Sequence, residues 1–237
     1  MGTLFTPVRR EATREKVCAA IRDAIVTGKL RIGQRLPEVQ LTREFQVSRS
    51  VIREALQQLA YEGLVEQTIN RGAQVIDLSP EQVDEILHLR VMLEAEAVRL
   101  ARERMQPEDA ALICRLAEDV EVARSDIERF VQSDLAFHRA IWQCSGNQTL
   151  QKHLTLLTAP VFSMGIIMRH SRVIADAAGG VAVRGADHLK LARAIVRGSL
   201  NEALDAVRNH ITENWDRTRS AVEKLHHRGS RRGGRSR

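Results

Sequence analysis

The sequence predicts a mainly α-helical protein of two domains: a small helical domain that ends in a β-hairpin, and then an antiparallel all-helical bundle. Apolar residues recur at helical spacing over most of the 237 residues, 43% of which are hydrophobic. A hairpin pattern between residues 64 and 76 closes the first third of the chain. Ser79 and Pro80 then begin a new helix. The predicted parts are residues 1–78, residues 79–225 and a disordered basic tail over residues 226–237.

The composition excludes several classes of protein. Aromatic residues make up only 3% of the chain, too few for wide platforms that stack single-stranded bases. No segment approaches the roughly 18 consecutive apolar residues of a membrane helix, and the N-terminus resembles no secretory leader. The three cysteines are odd in number and far apart, so neither a disulfide framework nor a cysteine zinc site is indicated. We therefore expect a cytoplasmic protein with no membrane contact.

The net charge of +6 is unevenly distributed. The predicted N-terminal domain carries 12 basic and 9 acidic residues, the bundle 19 and 21, and the tail five arginines without an acid. This distribution indicates that the ends of the chain meet a polyanion. The alternative is that a domain of charge +3 is merely soluble.

The N-terminal third reads as three helices and two short strands. A helix rich in apolar residues ends at Gly28, and a short helix follows over residues 38–45. After a tight turn at Gln46, Ser48 can cap a third helix with one apolar face. Strands over residues 64–68 and 73–76 then form the hairpin. A helix pair followed by such a hairpin is a winged helix-turn-helix.

The third helix has the side chains that a DNA-reading helix needs. Arg49, Ser50, Arg53 and Gln57 occupy one stripe, and the apolar residues occupy another. Arginine can donate two hydrogen bonds to the edge of a guanine in the major groove, while serine and the helix N-terminus bind phosphate. The alternative is an ordinary solvated helix face.

These residues lie in segments that resemble the DNA-binding domain of the GntR family of bacterial transcription regulators. VSRSVIREAL and the EGLV before the wing carry most of the resemblance, which spans residues 10–77. It implies operator contacts by Arg49, Ser50 and Arg53, with Arg71 and Gly72 at the wing tip. Several family members have an arginine soon after the Leu-Pro pair, where this chain has Val39 and Gln40; Arg43 is the candidate substitute.

The bundle is predicted to contain helices that alternate in direction. Proline and glycine residues separate the helical patterns, and Pro107 and Gly146 mark two of the boundaries. The predicted helices cover residues 80–104, 108–123, 126–144, 147–175, 183–198 and 200–224.

Four polar residues fall on apolar faces of three of these helices. Asp134 and His138 lie four residues apart on one face, and His188 and His210 lie on the apolar faces of the last two helices. An unpaired carboxylate or imidazole in a core costs several kcal/mol, so these side chains need a partner. Together they form a candidate site for a divalent transition metal. The alternatives are satisfied core histidines and an Asp–His pair without metal.

Arg90 and Glu94 lie on the buried face of the first bundle helix. An inward arginine is costly unless it is paired, so the two residues can form a structural ion pair. Arg90 can also reach a central cavity and clamp a carboxylate ligand. Both roles are compatible.

The second domain is similar to the FCD effector domain of FadR-type regulators. The segments HLRVMLEAEAVRLA, DLAFHRAIWQCSGNQTL, DHLKLARAI and AVRNHI carry the resemblance over residues 81–215. It implies that Asp134, His138, His188 and His210 bind a Zn, Ni or Mn-type ion, and that a small organic acid completes the metal shell. Asn214, one turn after His210, is a further candidate to orient the ligand.

The predicted function is a metabolite-responsive DNA-binding transcription regulator, a homodimeric repressor without enzymatic activity that binds a palindromic operator. A small carboxylate would be the effector and would bind between the metal and Arg90. Two alternatives remain. One is a sensor of the metal itself, and the other is a metal-dependent hydrolase fused to a DNA-binding head, for which Glu94 is the candidate base.

Overall fold

The computed structural model describes residues 10–68, 72–123, 126–170 and 186–233. The chain divides into two compact units, Met1–Asp77 and Leu78–Arg237, so the boundary lies one residue before the predicted one. Both units are dominated by helices, which confirms the predicted fold class.

The described residues of the first unit form three helices and a three-stranded antiparallel sheet. Strand β3 is central and pairs with both β1 and β2. The core between helices and sheet is formed by large aliphatic residues such as Ile21, Ile52 and Leu56. The elements are α1 (Arg10–Val26), β1 (Arg35–Leu36), α2 (Glu38–Phe45), α3 (Arg49–Tyr61), β2 (Val65–Thr68) and β3 (Gly72–Val75).

Strand β1 adds a third strand to the hairpin that the sequence predicts. Arg35 pairs with Gln74 and Leu36 pairs with Ala73, so the strand joins the free edge of β3. A strand of two residues is too short to produce an alternating hydrophobic pattern, which is the signal that identifies strands in a sequence. Only its pairing in three dimensions defines it.

The described residues of the second unit form six helices. Helix α4 begins with a capping box in which Ser79 and Gln82 exchange hydrogen bonds, with Pro80 in the first turn. It packs against α6, α7 and α9, while α5 packs against α6 and α8. The helices are α4 (Pro80–Arg104), α5 (Pro107–Val122), α6 (Ile127–Cys144), α7 (Gln148–His170), α8 (Ala186–Arg197) and α9 (Leu200–Gly233).

The C-terminal tail differs from the prediction. Disorder was expected from residue 226, but α9 continues to Gly233, and residues 234–237 lie outside the described part of the chain. Extending an existing helix costs little compared with nucleating one. The predicted helix ends between residues 171 and 185 also lie outside the described residues.

Within the described residues, no helix is both long enough and apolar enough to cross a membrane.

Candidate functional site

Helix α3 presents its polar stripe to solvent, as its sequence pattern predicts. Its N-terminus is capped by Ser48, whose hydroxyl accepts a hydrogen bond from the Val51 amide. Arg49 and Arg53 are exposed, Ser50 is half-buried, and the opposite face is buried in the core. The start of α3 therefore offers two guanidinium groups and a hydroxyl on one surface.

Arg53 is held in place by the preceding helix. Its Nε donates to both carboxylate oxygens of Glu38 over 2.9 and 3.0 Å, which links α3 to the first turn of α2. The side chain of Arg53 remains 63% exposed. Its two Nη groups therefore stay accessible to a ligand while the Nε end is oriented by the protein.

The remaining DNA-contact candidates occupy the surface of the same unit. Arg43 is exposed in the last turn of α2. Gly72 begins β3 with a φ of 80°, and a Cβ atom placed there would meet no atom within 4 Å. Gly72 is thus an exposed residue with a positive φ, a backbone conformation that glycine adopts without strain. Arg71 lies outside the described residues.

The four candidate metal ligands meet inside the second unit. Asp134 and His138 come from α6, His188 from α8 and His210 from α9, and one ligand atom of each lies within 4.8 Å of all the others. The three histidines are buried, and Asp134 is only slightly exposed. Nε2 of His188 lies 2.6 Å from Oδ1 of Asp134. The sequence pattern thus identified residues that the fold brings together.

Two members of the cluster are held in the deprotonated forms that bind metal ions. Burial lowers the pKa of His210 well below its ordinary value, and the neighbouring His188 and His138 lower it further. Burial opposes ionisation of Asp134, but the charge and hydrogen bond of His188 hold the pKa of that carboxyl far below its usual range. At neutral pH the cluster therefore contains a neutral His210 and an anionic Asp134.

Glu94 supports this cluster from α4. It is fully buried, and both carboxylate oxygens are used: Oε1 accepts from Nε of Arg90 over 2.6 Å, and Oε2 lies 2.8 Å from Nδ1 of His138. Burial opposes its ionisation, yet the charges of His138 and Arg90 and their hydrogen bonds keep the pKa of Glu94 far below the ordinary value. An ionised carboxylate only accepts hydrogen bonds, so Nδ1 of His138 must carry the proton.

This contact directs Nε2 of His138 towards the cluster, within hydrogen-bond distance of Arg90. Nη2 of Arg90 lies 3.2 Å from that nitrogen, and Oδ1 of Asp134 lies 3.6 Å from it. A carboxylate that fixes the tautomer of a ligating histidine is a common supporting element of metal sites. The sequence alone placed Arg90 and Glu94 on one face of α4 but did not indicate their contact with His138.

Arg90 lies next to the histidine cluster and contacts an aromatic ring on α7. Its guanidinium group lies 5.1 Å from the centre of the Phe162 ring on α7, a distance at which a cation interacts favourably with an aromatic face. Phe162 was not a sequence-predicted site residue, because a single aromatic residue on an apolar helix face gives no sign of a neighbouring cation. Arg90 thus combines the ion pair with Glu94 and a position beside the cluster.

The donor set fits a divalent transition metal. Three imidazoles and one carboxylate are a common ligand set for zinc and related ions. In addition, Nδ1 of His188 and Nδ1 of His210 are buried without a hydrogen-bond partner in the structure. An unsatisfied buried nitrogen is costly, so these imidazoles are poorly explained as ordinary core residues.

Asn214 occupies a different environment from the four candidate ligands. It lies one turn after His210 on α9, but its side chain is exposed to solvent. Its role in orienting a ligand stays a prediction.

Comparisons with known proteins agree with this arrangement of two units. Residues 13–75 match the model of the bacterial regulatory proteins of the gntR family, and residues 85–213 match that of the FCD domain. The second match alone covers more than half of the chain. The two matches fall in the first and second structural units respectively.

Individual relatives are also transcription regulators. The Glc operon transcriptional activator of Escherichia coli K12 is 32% identical over 63% of this chain and 67% of its own length. The gluconate operon transcriptional repressor of Bacillus licheniformis is 33% identical over 56% of this chain and 55% of its own. For the first curated relatives, the matched segment spans about two thirds of their length, from 61% to 68%.

The fold is likewise similar to a solved structure. That of McbR/YncC from E. coli superposes with a TM-score of 0.63 at 22% identity, and the match covers 86% of this chain and 95% of that one. These findings and the family matches show that the chain belongs to the GntR family of bacterial regulatory proteins. It is a DNA-binding transcription regulator that carries an FCD domain.

Proposed function

We propose that this regulator is a homodimeric repressor that binds a palindromic operator and responds to a small carboxylate metabolite bound next to a divalent metal ion. The observation that carries the proposal is the convergence of Asp134, His138, His188 and His210, whose ligand atoms lie within 4.8 Å of one another. A regulator that responds to a metabolite needs a site that binds the metabolite. The side chains of this buried cluster are suited to a metal-assisted binding site of that kind.

In this proposal the four residues hold a zinc, nickel or manganese ion. When bound, the ion supplies a Lewis-acidic position to which a carboxylate oxygen can coordinate. Glu94 holds His138 in the tautomer that directs Nε2 towards the cluster. The neutral form of His210 and the anionic form of Asp134 are the forms that bind a metal at neutral pH.

Arg90 is the proposed partner of the effector carboxylate. Its Nε is engaged by Glu94, while Nη2 lies beside His138 at the edge of the cluster. A guanidinium held in this way is oriented before the ligand arrives, which reduces the entropy lost on binding. One relative is named as the repressor of a gluconate operon, and gluconate is a carboxylate. This name supports an organic acid as the class of effector.

The DNA-binding part of the proposal rests on α3. Arg49 and Arg53 would contact base edges, Ser50 would contact phosphate, and Arg43 and the wing residues Arg71 and Gly72 would contact the flanking backbone. A homodimer presents two such heads, which suit a two-fold symmetric operator. The effector can change operator affinity only if it binds the DNA-free and DNA-bound states with different affinity.

The test is selection of operator sequences from random duplex DNA, followed by binding assays with the selected site. We expect an inverted repeat, and we expect a carboxylate from a panel of hydroxy and dicarboxylic acids to weaken its binding in the presence of Zn²⁺. Selection of a single asymmetric half-site would contradict the palindromic operator. If no acid alters binding but Zn²⁺ alone does, the chain is a metal sensor; stronger binding with an acid would point to activation.

The hydrolase alternative has less support. Its candidate base, Glu94, has both oxygens engaged, by Arg90 and by His138, so it is poorly placed to take a proton from water. Assays of the Zn²⁺-loaded protein with small esters and amides test this point directly, and we expect no turnover.

A further inference from the structure

The net positive charge of the chain lies entirely in its last fourteen residues. Residues 224–237 contain six basic residues and no acidic one, whereas residues 1–223 contain 30 basic and 30 acidic residues. Charges of one sign that collect in a short segment repel one another unless a partner of opposite charge is present. Blocks of this kind are typical of segments that bind a polyanion.

Helix α9 carries most of these basic residues in its last turns. The helix continues to Gly233 and includes Lys224, Arg228, Arg231 and Arg232. Positions 224, 228 and 231 are separated by four and by three residues, so they share one face of the helix, and position 232 lies beside that face. We call residues 224–233 the basic end of α9.

Contacts within the second unit show in which direction α9 runs. Near the end of α4, Arg102 donates a hydrogen bond to the carbonyl of Ile195, shortly before α9 begins. Near the start of α4, the carboxylate of Asp84 accepts a hydrogen bond from Nε1 of Trp215 over 2.5 Å and lies 3.1 Å from Nη1 of Arg219. The two helices are therefore antiparallel.

The basic end of α9 extends past the start of α4. Val222 is buried, so α9 is packed up to about the point that lies opposite Pro80. From there the helix continues to Gly233 for roughly 15–20 Å, at about 1.5 Å per residue. The start of α4 is also where the chain arrives from the first unit, which ends at Asp77. The basic residues thus lie at the end of the bundle to which the DNA-binding domain is connected.

Duplex DNA is the polyanion that suits this segment best. The chain belongs to a family of DNA-binding regulators, so DNA is already its ligand. Lysine and arginine side chains neutralise backbone phosphates whatever the base sequence. A lipid surface suits the segment less well, because residues 226–237 contain no apolar side chain that could insert into a membrane.

We propose that the basic end of α9 is a second DNA-binding element, which contacts backbone phosphates and adds affinity that does not depend on sequence. Phosphate contacts position a protein on the duplex but do not read bases, so this element should strengthen binding to operator and to unrelated DNA alike. The inference goes beyond the proposed function and does not depend on the metal, the effector or the homodimer.

The first test measures how the affinity for DNA depends on salt. Arg228→Gln, Arg231→Gln and Arg232→Gln are combined in the full-length protein, and fluorescence anisotropy over a range of KCl concentrations gives its affinity for the selected operator and for an unrelated duplex of equal length. Each lost phosphate contact reduces the slope of log K against log[salt] by about 0.9, so we expect a reduction of about 2–3 per bound chain. At about 100 mM KCl the affinity for both duplexes should fall at least about tenfold.

Two further variants separate the charge at this place from other causes. Lysine at the same three positions keeps the charge and should keep the wild-type slope, which a structural role of the arginines would not allow. The matched control removes three charges from exposed positions of α8, a helix whose end lies near the other end of α4. This control combines Lys190→Gln, Arg193→Gln and Arg197→Gln, and its slope should equal that of the wild type.

The remaining outcomes would overturn the proposal. They are an unchanged slope in the glutamine variant, an equal reduction in the α8 control, and a reduction in the lysine variant as large as in the glutamine variant. A loss confined to the operator would mean that these arginines read bases. If DNA binding is unchanged but the glutamine variant loses affinity for vesicles of phosphatidylglycerol and phosphatidylcholine, the partner is a membrane. None of these results bears on the metal site or the effector, so the proposed function is tested separately.

Discussion

The carboxylate of Glu94 lies 2.8 Å from Nδ1 of His138, and this contact determines which nitrogen of the imidazole is available to a metal ion. Because an ionised carboxylate only accepts hydrogen bonds, Nδ1 donates its proton to Glu94, and Nε2 is the nitrogen that faces the cluster. Glu94 is thus a positioning residue in α4 for a candidate ligand in α6. Its second oxygen ties Arg90 to the same network.

Glu94→Gln should weaken metal binding by about 10–100-fold, the usual effect of losing a supporting carboxylate. The amide is neutral and can offer a donor to His138, so the tautomer is no longer fixed. Competition between the protein and a chelator for Zn²⁺ measures the change. Glu96→Gln, on the exposed side of α4, is the control. Equal affinities in the two variants would exclude the positioning role.

Arg90→Lys should reduce the affinity of the Zn²⁺-loaded protein for its carboxylate effector by about tenfold or more, since lysine lacks the planar fork that binds a carboxylate through two hydrogen bonds. The metal content should stay the same, because Arg90 is not a ligand. Calorimetric titration with the acid that affects operator binding gives both the affinity and the stoichiometry. A variant that binds the acid as tightly as wild type would show that Arg90 serves only as the partner of Glu94.

Arg49→Ala should weaken specific operator binding by about 5–150-fold, which corresponds to the roughly 1–3 kcal/mol of one bidentate contact to a base. Dimerisation and metal content should not change, because the exposed side chain of Arg49 lies in the other unit. Fluorescence anisotropy with the selected operator measures the loss. Arg139→Ala, at an exposed site on α6, controls for the removal of one positive charge. A variant that becomes monomeric would instead indicate a structural role for Arg49.

Cys144 should react slowly with iodoacetamide in the native protein. Burial raises the pKa of its thiol to about 11, with a further contribution from Asp109, so at pH 8 only about one thiol in a thousand is ionised. The rate should rise about tenfold per pH unit up to that pKa. Mass spectrometry of the labelled peptide follows the reaction. Since Cys144 ends α6, fast labelling at pH 8 would mean that the helix carrying Asp134 and His138 is packed less tightly than the structure indicates.

Residues that act within one helix were predictable from the sequence. The polar stripe of α3 and the inward positions of Asp134 and His138 on α6 follow from helical periodicity, which depends only on neighbours three and four residues apart. The same periodicity places His188 and His210 on the apolar faces of the last two helices, and the resemblance to known families supports all four residues as ligands of one ion.

Relationships between distant segments were not predictable. The contact of Glu94 with His138 joins residues 44 positions apart, and that of Arg53 with Glu38 joins two helices across a turn. Strand β1 exists only through its pairing with β3. The exposure of Met92 also requires the fold, because an apolar residue at helical spacing is normally assigned to the core.

Elemental analysis decides whether a metal ion binds the four side chains Asp134, His138, His188 and His210 of the second unit. Full-length protein and its His188→Ala variant are loaded with Zn²⁺, dialysed and analysed for metal per chain, with His153→Ala, an exposed histidine, as the control. We predict one ion per chain in the wild type and the control and a large loss in His188→Ala. A wild-type protein that retains no ion, or a variant that retains as much as the wild type, would contradict the account.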